Sequence, residues 1–131
     1  MVKRWIVIIV LTVMLVVACV LEGNYTKHSF EWLINNMETL QIQLSESKES
    51  IDKEEFIEFA GNAHTQWHKK VDVLKGLIWH TGMKDIEIGL ARILVYISEN
   101  NYTEAYAEIL GVIDYSSHYL DDFKLIFGNI F

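Results

Sequence analysis

His64 and His68 stand four residues apart in a stretch with helical periodicity. That spacing puts both imidazoles on one helix face, where a pair of nitrogens can begin to chelate a metal. A zinc centre needs further ligands, and the intervening Thr65-Gln66-Trp67 lacks the glutamate of the zinc-protease motif. Histidine pairs on polar helix faces are common without a metal. A metal or ligand sensor built on this face is therefore the alternative function and not the first. His80 lies close to Asp85 and Glu87, and an imidazole beside carboxylates can form an acid–base pair. Such a group more often complements helix ends, with the carboxylate near a start and the histidine near a finish. Arg92 is the only arginine beyond the N-terminal flank, and on a helix it can reach Glu87 or Glu99 as a structural ion pair. No Gly-x-Ser-x-Gly and no phosphate-cradling glycine loop is present, so no enzyme activity and no cofactor are expected.

The single cysteine, Cys19, sits inside an apolar run. Lys3 and Arg4 form a short basic flank, positions 5–21 carry Thr12 as their only polar side chain, and Glu22-Gly23-Asn24 ends the run. Seventeen helical residues span about 25 Å, slightly less than the ~30 Å hydrocarbon core, a mismatch that local thinning absorbs. The basic flank stays cytoplasmic and directs the rest of the chain outside, with Trp5 as an interfacial anchor. Val16-Val17-Ala18-Cys19 also has the layout of a bacterial lipobox. Cleavage there would make Cys19 a lipidated N-terminus and remove the spanning helix. The first reading is an uncleaved single-pass anchor, the second a lipoprotein. Both leave the domain tethered outside the cytoplasm.

This division gives a membrane anchor or signal segment over 1–21 and one extracytoplasmic domain over 22–131. The domain has nine lysines and arginines, the chain's 11 less Lys3 and Arg4, against all 18 acidic residues, leaving it near −9. So acidic a surface is repelled by phosphate backbones, which argues against nucleic-acid binding. One cysteine makes no intramolecular disulfide. The aromatic and aliphatic content is high enough to bury a core.

The chain contains no proline, and apolar residues recur at three- and four-residue spacing rather than alternating. The expected fold is all-α: the N-terminal membrane helix, then an antiparallel bundle of about four amphipathic helices. The first covers 26–46 with Phe30, Leu33, Ile34, Met37, Leu40 and Leu44 inward, and it can continue the membrane helix with a bend near Gly23. The second opens on an Asp52/Glu55 capping box and runs about 28 residues, about 42 Å, to Thr81-Gly82. Its stripe is Phe56, Phe59, Ala60, Ala63, Trp67, Val71, Leu74, Leu77 and Ile78. The third spans 83–98 with Ile86, Leu90, Ile93, Leu94 and Ile97 inward. After an Asn100-Asn101 turn, Thr103 caps a fourth carrying Tyr102, Ala105, Tyr106, Ile109, Leu110, Ile113 and Leu120. The short turn makes the last two helices antiparallel neighbours.

Two features point to contact with other molecules. Trp32 falls off the apolar stripe of its helix, close to the membrane, and is available to lipid headgroups or a partner. The chain ends Leu125-Ile126-Phe127-Gly128-Asn129-Ile130-Phe131. An apolar terminus should dock rather than fray, on its own bundle or in a groove of another subunit, so Phe127, Ile130 and Phe131 are candidate partner contacts. A homo-oligomer is one form such a contact can take.

The order of these features resembles the domain of unknown function 4363 family, small single-anchor membrane proteins of Firmicutes. The residues that carry the resemblance are the basic start and apolar anchor, the long helix holding Trp67, and His80. They continue with Ile86-Glu87-Ile88-Gly89-Leu90-Ala91-Arg92, Tyr96-Ile97 and the closing Asn129-Ile130-Phe131. The likeness runs over the whole chain. It departs after His80, where acidic residues are usual and Thr81-Gly82 stand here. The resemblance implies a membrane-associated helical protein without an assigned reaction. It also implies an accessory role beside a membrane protein, with the YetF-like kind as the candidate partner.

Overall fold

A computed structural model describes residues 1–74 and 80–128, apart from the side chains of 80–82 and 126–128. The described residues form four helices and no strand: α1 Val2–Glu46, α2 Glu54–Leu74, α3 His80–Ser98 and α4 Tyr102–Gly128. The all-α fold is as expected. The anchor and the first bundle helix are a single helix of 45 residues, about 68 Å long. The helix runs through Gly23 without a break. One glycine costs a helix about 1 kcal/mol, which the turns on either side outweigh.

Beyond residue 22 the four helices pack as a closed ring, α1 on α2, α2 on α3, α3 on α4 and α4 on α1, with no contact across a diagonal among the described residues. Each successive helix reverses direction, the up-and-down bundle that short connections favour. The ring encloses Phe30, Leu33, Met37, Leu40 and Leu44 of α1 and Phe56, Ala60, Ala63, Trp67, Val71 and Leu74 of α2. From α3 it encloses Met83, Ile86, Leu90, Ile93 and Ile97, and from α4 Ala105, Ile109, Val112 and Leu120. Two buried hydroxyls on α1 stay satisfied by bonding back along the helix, Thr26 to the Glu22 carbonyl at 2.9 Å and Ser29 to that of Tyr25 at 2.7 Å.

Several local expectations are corrected. Thr81 and Gly82 do not end a helix; they lie in the first turn of α3, and no described glycine has positive φ. The stripe positions Leu77 and Ile78 lie outside the described residues. Asp52 forms no capping box: its carboxylate accepts from the Ser50 hydroxyl at 3.0 Å, and α2 begins at Glu54. At the start of α4 the cap is Asn101, whose side-chain oxygen accepts from the Glu104 amide at 3.3 Å, while Thr103 lies inside the helix. Leu110 faces outward at 42% exposure, because Val112 and Ser116 occupy the inward positions between Ile109 and Leu120.

The end of the bundle far from the anchor is closed by a pair of loops. Ile51 is fully buried, and its amide donates to the Asn100 side-chain oxygen at 2.8 Å. Asn100 holds φ at 56°, a left-handed conformation that asparagine tolerates better than most side chains.

Candidate membrane-proximal interface

α1 changes character along its length. Its apolar N-terminal window is wholly exposed, and by length and composition α1 is the one helix among the described residues able to cross a membrane. From Thr26 onward the same helix buries one face in the bundle. A soluble fold gains nothing from an exposed apolar run of this length, whereas a bilayer solvates it.

The bundle end nearest this run is assembled from α1, α2 and α4. Phe30 meets the edge of Trp67 with ring centroids 5.2 Å apart, and stacks on Tyr119 at 4.6 Å. Lower down, a Cβ placed at Gly23 would stand 3.6 Å from the Phe123 ring, so α4 lies against α1 at the edge of the anchor. Trp32, half-buried, packs against the core, and the Lys70 ammonium stands 5.0 Å from its ring centroid and 5.9 Å from that of Tyr25. One face of Trp32 is thus already engaged within the chain.

His68 sits where α2 faces α3. Its Nδ1 meets the Glu87 carboxylate, and its Nε2 stands 3.8 Å from Asp72. This arrangement places an imidazole between two carboxylates, and its contact with Glu87 bridges α2 and α3. His64 lies one turn earlier and is half-buried. Among the described residues no group of three or more metal-ligating side chains is placed to hold an ion. The side chain of His80 lies outside the described residues; of the two carboxylates expected beside it, Glu87 meets His68 and Asp85 is exposed. Arg92 reaches neither Glu87 nor Glu99 as its expected partner. It points across to α4, 3.7 Å from Glu108, because Gly89 one turn earlier lets that helix come close.

Cys19 is half-covered, while every residue before it in α1 is exposed. Of the candidate tail contacts, Phe127 lies on the described backbone of α4, its side chain outside the described set; Ile130 and Phe131 lie beyond it. Two open polar recesses sit at the far end of the bundle, one lined by Ser45, Ser47, Ser50 and Lys53, the other by Gln43, Glu55, Phe56 and Phe59. Sequence reasoning placed Asn100 in the turn but missed Ile51 and the bond between the two. The signal available for Ile51 was a lone apolar residue in an otherwise polar loop.

Neither protein-family models, curated proteins nor solved structures give a match to this chain.

Proposed function

We propose that this protein is a membrane-tethered, extracytoplasmic helical subunit that acts by protein–protein contact, as an accessory part of a membrane complex. The observation that carries this reading is the continuity of α1 from an exposed apolar anchor into the buried wall of the bundle. An unjointed helix transmits the tilt and height of the anchor to the bundle, so the domain presents its faces at a set distance from the bilayer. Confinement to one membrane raises the effective concentration of a partner, so a modest interface suffices. Lys3 and Arg4 support a cytoplasmic N-terminus. The surplus of acidic residues outside the anchor favours a partner with a basic face. The resemblance to small single-anchor proteins of Firmicutes suggests a YetF-like membrane protein for that role. Lipidation at Cys19, the alternative, would replace the spanning helix by acyl chains and keep the tether but not the set tilt and height.

The test is purification of the full chain from gently solubilised native membranes. One membrane protein should co-purify in fixed proportion and dissociate as salt is raised, as screening of a charged interface requires. A chain that purifies alone, or with further copies of itself only, contradicts the proposal.

A further inference from the structure

Three contacts set the register between the antiparallel helices α1 and α4. Gln41 donates to the Tyr106 hydroxyl at 3.0 Å, Phe30 stacks on Tyr119, and Gly23 meets Phe123. Reading down α1 toward its N-terminus, α4 advances almost residue for residue toward its C-terminus. α4 then continues as helix past Phe123 to Gly128. At ~1.5 Å per residue those five positions descend about 7.5 Å, to the level of Ala18 and Cys19 in the anchor.

The two helices switch from polar to apolar at one height. On α1 the boundary falls between Glu22 and Leu21. On α4 it falls after Asp121-Asp122-Phe123-Lys124, where Leu125-Ile126-Phe127-Gly128 begins. Leu125 is 68% exposed, and Leu21, at about the same level on α1, is 64% exposed. Cys19 and Val20 are the least exposed residues of the apolar run, and they share a helix face with Gly23 and hence with α4. The charged residues just above, including Asp121, Asp122 and Lys124, are exposed at the headgroup level.

From this shared boundary we infer that the C-terminal end of α4 enters the outer leaflet beside the anchor and contacts lipid acyl chains. The protein is then held at two adjacent points rather than one. The anchor supplies slightly less apolar length than the ~30 Å hydrocarbon core, and the end of α4 adds apolar surface at the outer boundary where the shortfall lies. A second insertion also opposes rotation of the bundle about the α1 axis. The inference rests on the spanning-anchor reading and not on the partner, since it concerns lipid alone.

The test uses the full chain with Cys19→Ser, reconstituted in phosphatidylcholine–phosphatidylglycerol vesicles. An environment-sensitive fluorophore is attached in turn at Leu125→Cys, at Leu21→Cys as the lipid reference, and at Leu110→Cys as the aqueous reference on α4. All three positions are exposed, so substitution removes no core contact. Lipids carrying a nitroxide near the headgroup end of the acyl chain should quench the Leu125 probe as they quench the Leu21 probe. Aqueous iodide should quench it severalfold less than the Leu110 probe. Strong iodide quenching without lipid quenching would place this end in water and overturn the inference. Shielding from both quenchers would place it against protein, its own bundle or a partner, and overturn it equally.

Discussion

Phe30 of α1 and Tyr119 of α4 stack with ring centroids 4.6 Å apart and planes 21° apart. Trp67 of α2 adds its ring to Phe30 at 67°, so three helices share one aromatic cluster near the end of the bundle closest to the apolar run. Phe30 is fully buried at the centre of the cluster.

Phe30→Ala removes the ring that all three helices share. Large-to-small changes of this kind cost about 3–5 kcal/mol, and thermal unfolding followed by circular dichroism should show a loss of that size. Trp67→Phe keeps an aromatic ring and deletes an indole N–H that has no hydrogen-bond partner among the described residues. It should cost far less than Phe30→Ala, about 1.5 kcal/mol or under.

His118 titrates above the ordinary histidine value. The main cause is its bond to the Asp114 backbone carbonyl, followed by the Asp114 carboxylate and, more weakly, Asp121 and Asp122. A histidine whose folded pKa is raised favours the folded state below its unfolded value of about 6.5, and that contribution disappears as pH rises through the folded value. An NMR titration should place the His118 midpoint above that of the unfolded chain. Asp114→Asn should lower the midpoint only in part, because the backbone acceptor remains.

Gly89 of α3 lies where a Cβ would stand 2.8 Å from a Val112 methyl of α4. A β-branched side chain has little freedom to swing aside. Gly89→Ala gains about 1 kcal/mol of helix propensity and meets an overlap that costs about 1–3 kcal/mol, so the net change should be destabilising. In a Val112→Ala background the same substitution should do less harm. Gly61 and Gly111 have nothing within 4 Å of an added Cβ. Alanine at either should stabilise the protein by about 0.5–1 kcal/mol in the same melts.

Asn100 serves two needs at once, a left-handed backbone and an acceptor for the buried amide of Ile51. Asn100→Gly keeps the first and loses the second, whereas Asn100→Ala loses both. Leaving a buried donor unpaired costs about 1–3 kcal/mol. Hydrogen exchange at the Ile51 amide should accelerate in both variants, with the lower melting temperature in Asn100→Ala.

Those features show where sequence reading stops. The stripe Phe30, Leu33, Met37, Leu40 and Leu44 was legible because one helical period runs through it unbroken. Ile51, its bond to Asn100 and the partner of Arg92 were not, since each depends on which residue of a distant loop or helix comes alongside. Thr81-Gly82 has the residue types of a helix end, and local chemistry alone does not reveal that α3 starts before it. At the candidate interface the apolar ending of the chain was plain. The height of the end of α4 against the anchor was not, because that height follows from Gly23 admitting Phe123.

The proposed topology holds the bundle outside the cytoplasm on a helix that crosses the membrane. Single cysteines at Glu49, exposed on the loop farthest from the anchor, and at Lys3, in a Cys19→Ser background, test this directly in intact cells. An impermeant maleimide should label Glu49→Cys at once and Lys3→Cys only after the membrane is permeabilised. Labelling of Lys3→Cys in intact cells, with Glu49→Cys protected until lysis, would contradict the account.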